Sequence, residues 1–405
     1  MRLVEQHCIG KNDVRYAVID ATCFASKNLY NAANYIVRQS FIHQGIYTGY
    51  ATVYHEVKTH EAYKALPTKV ANDVLRLLDK NWKSYFKAVQ AYRLDPSKFL
   101  GHPKLPKYKD KQKGRNILIY DFQALSKTAL EKGIIAPSKL GITVPTQQTN
   151  VQQVRIIPRC GFYMLEVVYE QAETQAPVDP SFMASVDIGV NNLVALTSNK
   201  IGFIPRLVNG RPIKSVNQYY NKRKAALQEK LGKETRFTPH MERITMKRTR
   251  RIDHYLHTAS KRIIDLLVSE GIGTLIIGKN PLWKQDPTMR KKDAQHFVGL
   301  PHARFIDMLT YKAKLVGIQV ILQEESYTSK ASFLDNDPIP TYGIKKEDRP
   351  IFLGKRVKHG LYQSRHGIRF NADINGSYNI LRKASPDAFV QGSRGCAVHP
   401  VWLAI

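Results

Sequence analysis

The sequence predicts an α/β protein: a mixed sheet with covering helices in the C-terminal half, and a small N-terminal β-barrel that carries a helical insertion. Three observations lead there. Ala184-Ser-Val-Asp-Ile-Gly-Val-Asn-Asn-Leu-Val-Ala-Leu-Thr197 is two apolar runs joined by a tight Asn-Asn connection, a hairpin of buried strands with a single acid, Asp187, in the first. Downstream the pattern runs strand, strand, strand, helix, strand, helix, strand, and closes on a helix over 374–383 directly behind Asp373. Between 116 and 170, by contrast, short β-type runs follow one another with no helical period, and the polar, proline-bearing stretch from Gln171 to Pro180 separates the halves.

Composition bounds the function. With 405 residues, 43% of them hydrophobic, the chain is long enough for two or three domains with real cores. Lys and Arg number 62 against 33 Asp and Glu, a formal charge of +29 with pI ≈ 9.9. That excess goes far beyond what solubility needs, so the expected partner is a polyanion, above all nucleic acid. No apolar run approaches the ~20 residues of a spanning helix. The N-terminus lacks the apolar core of a secretory signal, so no membrane partner is expected and the location should be cytoplasmic, at the nucleoid. Cys8, Cys23, Cys160 and Cys396 are scattered with no C-x-x-C pair, which supports neither a disulfide framework nor a cysteine-rich zinc site.

In the N-terminal half, residues 2–8 read as a strand that could close the barrel. From Ala21 the pattern is helical, with Leu29, Ala32, Ala33, Ile36, Val37 and Ile42 as its apolar stripe. A second helix follows Leu66-Pro67, where proline suits a first turn, and buries Val70, Val74, Leu77, Leu78, Trp82, Tyr85, Phe86 and Val89. Its outer face, Lys69, Arg76, Lys80, Lys83 and Lys87, is either simply solvated or a contact for phosphates. Gly101 to Arg115 sets Lys at alternate positions between two prolines that forbid a helix. Such a segment is an extended basic strand or loop. It reads equally as a solvated linker or as a groove that tracks a nucleic-acid backbone, with Tyr108 as a stacking ring.

In the C-terminal half, 202–208 is a third strand, followed by basic helical runs over 219–231 and 243–269. Gly273-Thr-Leu-Ile-Ile-Gly278 is a buried central strand, 302–315 a helix and 318–322 the next strand. This is the order of an RNase H-like fold, whose chemistry is phosphodiester hydrolysis by two divalent ions ~3.5–4 Å apart. Hard cations call for carboxylate oxygens from adjacent elements. Asp187 on the first strand and Asp373 at the start of the last helix supply two, although an acid in the second position also serves as a helix N-cap.

Val-Asp-Ile-Gly-Val-Asn-Asn-Leu-Val-Ala-Leu and Asp-Ile-Asn-Gly-Ser-Tyr-Asn-Ile-Leu resemble the first and third RuvC motifs of TnpB, the transposon-encoded RNA-guided nucleases related to type V CRISPR effectors. The basic runs at 80–87 and 103–109, the basic helix before the central strand, and Tyr327-Thr-Ser-Lys330 resemble further landmarks of that family, so the likeness covers most of the chain. It implies a wedge β-barrel of 1–20 and 101–175, a helical recognition domain of 21–100, a RuvC domain of 182–325 and 366–385, a target-nucleic-acid-binding insert of 326–365 and a tail of 386–405.

Two departures from the family stand out. Where the central strand usually ends in Glu, this one ends Ile276-Ile-Gly-Lys279; the neighbouring strand ends Leu322-Gln-Glu-Glu-Ser-Tyr, so Glu324 or Glu325 is the expected replacement. An acid moved one strand outward starts ~4.8 Å further from Asp187, a span a Glu side chain largely covers across the space that Gly278 leaves. Only one of the pair can face the metals, and Glu325, nearer the loop, is the expected ligand. The other departure is the loss of the four-cysteine zinc ribbon from the insert, where Lys345, Lys346, Lys355, Arg356, Lys358, Arg365 and Arg369 supply charge instead. The resemblance thus implies an RNA-guided DNA endonuclease with Asp187, Glu325 and Asp373 as ligands of Mg²⁺ or Mn²⁺, without zinc. Its partners would be a guide RNA, a target DNA duplex and the displaced single strand. Two alternatives remain: a nuclease-dead RNA-guided DNA binder, suggested by Gly278, and a guide-free RNase H-like resolvase or transposase.

Overall fold

The computed structural model describes residues 1–231, 238–280, 291–345, 350–358, 360–389 and 399–405, in two units, Met1–Gln171 and Ala172–Ile405. Lys346 and Cys396, named above, lie outside the described residues.

The first unit begins with strand β1 (Arg2–Gly10), then helices α1 (Tyr16–Gln44), α2 (Tyr50–Val57), α3 (Glu61–Lys64) and α4 (Thr68–Leu94). Strand β2 (Leu118–Asp121), helix α5 (Lys127–Glu131), the short pair β3 (Ile134–Ile135) and β4 (Val144–Pro145), and the hairpin β5 (Val151–Arg159) and β6 (Phe162–Glu170) complete it. The main sheet has the order β1-β6-β5-β2 and is antiparallel throughout. The expected barrel is therefore corrected to an open sheet. The first strand does pair with the last, but β2, only four residues long, stands at the opposite edge and is not joined to it. The helical segment is inserted between β1 and β2, and it starts earlier than Ala21, at Tyr16. Pro67 immediately precedes α4 instead of sitting in its first turn, and Ile42, expected in the apolar stripe, is exposed. Trp82, fully buried, centres an aromatic cluster with Phe41, Tyr47, Tyr85 and Phe86.

The second unit has strands β7 (Asp179–Asp187), β8 (Asn192–Ser198) and β9 (Arg206–Asn209), helices α6 (Arg211–Glu229) and α7 (Pro239–Ser269), and strand β10 (Ile272–Gly278). Helices α8 (Lys291–Gly299) and α9 (His302–Leu315) lead to strand β11 (Gln319–Gln323). Strands β12 (Lys355–Lys358), β13 (Leu361–Gln363) and β14 (Arg369–Asn371), helix α10 (Ala372–Ala384) and strand β15 (Val401–Trp402) follow. The six-stranded sheet runs β11-β10-β7-β8-β9-β15, with β7 parallel to β10 and antiparallel to β8. All seven residues of β10 are buried, as a strand covered on both faces requires. Helices α7 and α9 pack Leu256, Ile263, Leu267, Phe305 and Leu309 on one face, while α10 covers the other with Ile374, Tyr378 and Ile380. Each such buried side chain contributes roughly 1.5–3 kcal/mol. The expected tail of 386–405 is corrected in part: β15 pairs in parallel with β9 and belongs to the sheet.

The insert is a three-stranded sheet, β12-β13-β14, and acids organise it. Asp337, almost fully buried, accepts from the Ser332 amide at 2.8 Å and the Leu353 amide at 3.1 Å. Asp335 accepts from Ser332 Oγ and the Arg365 amide, and Tyr362 donates to the Lys330 carbonyl. These bonds tie together the chain segments of the insert, which has no zinc-ribbon cysteines.

Candidate functional site

Helix α10 organises the site, and most letters of its motif have a local task. Asn371 caps it, accepting from the Asp373 and Ile374 amides at 2.9 and 3.2 Å, so Asp373 is released from the capping role considered above. Ser377 joins a buried hydroxyl network with Ser185 and Thr197 that locks the helix to β7 and β8. Asn375 and Asn379, both fully buried, bind the turn after β11: Asn375 to the Phe333 amide and Ala331 carbonyl, Asn379 to the Thr328 and Ala331 carbonyls. Gly376 leaves a notch. A Cβ there would stand 2.5 Å from Asp187 Oδ2, so the carboxylate at the end of β7 lies where only glycine leaves room.

Glu325 reaches the same region from the edge strand. Gly278 and Gln323 are paired in register at the ends of β10 and β11. A Cβ on Gly278 would stand 2.5 Å from Glu325 Oε2, so this carboxylate lies across the end of β10. Asn280 grips it, donating to Glu325 Oε1 at 3.3 Å and accepting from the Glu325 amide at 3.1 Å. Glu324 turns the other way, to Lys383 Nζ at 2.5 Å and the Ser326 amide at 2.7 Å. Lys383, with only 7% of its side chain exposed, also donates to the Ser326 and Pro340 carbonyls. Asp373 accepts from Asn192 Nδ2 at 2.7 Å and lies 3.5 Å from an Arg356 guanidinium nitrogen.

The site is electrostatically strained. Burial, then the charges of Glu325 and Asp373, hold the Asp187 carboxyl well above the usual carboxylate range, with Arg356 opposing. Burial, then Glu324, push Glu325 up to about 7 against the pull of Lys383. Against burial, Lys383 and Ser326 lower Glu324, which is therefore a settled carboxylate in an ion pair. Anions that repel one another with little compensating charge suit cations, and carboxylate oxygens suit hard divalent ones. Among the described residues no three acid, imidazole or thiol side chains form a ready single-ion cage. Asn192, Asn280 and Lys383 were missed from sequence. Asn192 stood in the quoted hairpin as a turn residue; nothing marked the other two.

A cationic surface occupies the first unit. Residues 104–111 have no regular secondary structure, yet they are fixed along α1. Lys27 donates to the Lys111 carbonyl, Asn31 exchanges bonds with both backbone groups of Lys109, and Asn34 and Arg38 both donate to the Pro106 carbonyl. The backbone is thus held while Lys104, Lys107, Lys109, Lys111 and Lys113 stay exposed, and Arg38 lies over the Tyr108 ring. The segment is neither a strand nor a loose linker.

Residues 166–283 match the family described as "Probable transposase", and residues 302–380 match the "Cas12f1-like, TNB domain". Over 89% of this chain and 81% of its own length, the "TnpB-like protein ORF457" of Acidianus two-tailed virus is 22% identical. The chain is thus similar to TnpB-like proteins over most of its length. Among solved structures, the protein of a "Cas12f1-sgRNA-target DNA complex" is similar in fold to this chain, with a TM-score of 0.52, 15% identity and coverage of 90% of this chain and 81% of that one. The mixed α/β fold of that protein is therefore shared. Among the described residues, no helix is long and apolar enough to cross a membrane.

Proposed function

We propose that this TnpB-like protein is an RNA-guided DNA endonuclease whose RuvC site is formed by Asp187, Glu325 and Asp373. One observation carries the reading: the Glu325 carboxylate lies across Gly278, at the end of the strand where the second-motif acid would otherwise stand. Divalent ions, Mg²⁺ or Mn²⁺, would supply activation of a water and charge neutralisation at the leaving oxygen. The chain's own part is to hold the acids. Gly376 and Gly278 give the carboxylates room, Asn280 and Asn192 orient Glu325 and Asp373, and Lys383 withdraws Glu324 so that one glutamate faces the site. The fixed lysine run over 104–113 and the basic helices α6 and α7 offer the charge to grip a guide RNA and a target DNA by shape and backbone. The first unit would act as wedge and recognition domain, and the β12–β14 insert as the target-strand contact. Arg356, which leans on Asp373, extends from that insert toward the acids.

The test is Mg²⁺-dependent cleavage by protein purified with its bound RNA. Asp187→Ala, Asp373→Ala and Glu325→Gln should each abolish cutting and keep guide and target binding, while Glu324→Gln should retain at least part of it. A wild type that binds guide and target but never cuts would establish the nuclease-dead reading; absence of any discrete bound RNA would favour a guide-free enzyme.

A further inference from the structure

We propose that the cavity between α6 and α7 receives one unstacked nucleotide of a single-stranded nucleic acid, its base against Tyr219 and its phosphates among Arg223, Lys247 and Arg251. This rests on the chain being a nucleic-acid binder, and on nothing about its cutting chemistry. The cavity has a volume of about 470 Å³, within the range that encloses small ligands. Its wall is built. Arg248 donates to Asn217 Oδ1 at 2.8 Å and to the Gly299 carbonyl at 3.1 Å and lies over the Tyr220 ring, whose hydroxyl meets Thr245 Oγ1 at 3.1 Å. Those two side chains are committed to the protein.

Three lining cations are not. Arg223, Lys247 and Arg251 are exposed, and among the described residues none of them has a carboxylate partner. Further along α7 the charges are matched: Asp253 pairs with Arg304 and Asp265 with Lys261. Unmatched cations around a cavity call for an anion. A bare anion would not need the Tyr219 ring, which is 62% exposed at the rim, whereas a base gains stacking on an aromatic face and cation–π contact from arginine. Lys247 and Arg251 are one helical turn apart and Arg223 is on the opposite helix, so the cations offer places to successive phosphates and not to one alone.

The experiment uses the full chain with 12-nucleotide single strands of RNA and of DNA carrying one 5-iodouracil, irradiated and mapped by peptide mass spectrometry, with affinities measured for Tyr219→Ala and Tyr219→Phe. Cross-linking to Tyr219 is expected, with about tenfold weaker binding in Tyr219→Ala and near wild-type binding in Tyr219→Phe. Lys247→Gln and Arg251→Gln should each reduce the salt slope by about one. The two arms identify which strand supplies the nucleotide. Cross-links that map only elsewhere, or unchanged affinity in Tyr219→Ala, overturn the proposal while leaving the nuclease reading intact. Displacement of the strand by micromolar uridine monophosphate would overturn it in favour of a free-nucleotide site, and failure to bind any strand would remove the nucleic-acid reading as well.

Discussion

Lys383 is placed to decide which of two adjacent glutamates would face the proposed site. Its ammonium ties Glu324 to the turn after β11, where Tyr327 adopts a left-handed φ of 66° that side chains rarely take. Lys383→Met should free Glu324 and slow cutting at saturating target by at least tenfold, with target affinity unchanged. Rescue by Lys383→Arg would separate positioning from simple loss of fold. Glu325 makes a second prediction. Folded, burial and the Glu324 charge push it up to about 7; unfolded, it loses its proton near the ordinary carboxyl value of 4.5. Its folded pKa is raised, so its contribution to stability is full below about 4.5 and is lost as the pH climbs through 7. In metal-free buffer at pH 8, Glu325→Gln should therefore melt a few degrees above the wild type. At pH 5 the two should nearly coincide, and added Mg²⁺ should narrow the gap at pH 8 by favouring the charged wild type. Parallel melting curves at the two pH values check this.

Elements differ in how openly the sequence announces them. The β7–β8 hairpin, the buried run of β10 and the 302–315 helix could be read because burial imprints a period on local sequence. Helix α1 could be read only in part. Its apolar stripe was visible, but Lys27, Asn31, Asn34 and Arg38 form a polar stripe whose partners are backbone groups some seventy to eighty residues away, and no local pattern encodes such partners. The barrel failed because strand content does not specify closure. Asn34 offers a test at this scale: fully buried, it accepts from the Trp82 indole at 3.0 Å and donates to the Pro106 carbonyl at 3.2 Å. Asn34→Leu would orphan both groups and should cost the first unit about 2–4 kcal/mol, read as earlier unfolding in urea and faster proteolysis near Lys107. In the insert, Asp337→Ala should loosen β12–β14, whereas a zinc-selective chelator should leave the melt unchanged. Stoichiometric zinc in the purified protein would contradict this.

At the scale of the whole molecule, a charge of +29 outweighs any single contact. Affinity for guide or target should fall steeply between 50 and 200 mM salt, by on the order of a thousandfold if six or more phosphates are neutralised. An affinity that barely moves would argue against backbone recognition. Asp187 and Asp373 could be proposed as ligands because each stands in a motif, whereas the ion pair that draws Glu324 aside comes from Lys383, a lysine 58 positions beyond Glu325 on helix α10, which no local pattern encodes. The pairing of Gly278 with Glu325 also restricts how such a sequence can change over generations. Gly278→Glu alone would place a Cβ 2.5 Å from an existing carboxylate oxygen and 2.6 Å from Ile380 Cδ1, adding a second negative charge to a crowded space. Glu325→Gly alone would leave only Glu324, which is tied to Lys383, at these strand ends. Each single change should silence cutting, and only the two together should recover part of it. On the role proposed for Glu325, the two placements of this acid would be separated by an inactive intermediate, and a lineage crossing between them would either change both codons nearly at once or pass through a stage in which the protein bound its target without cutting it.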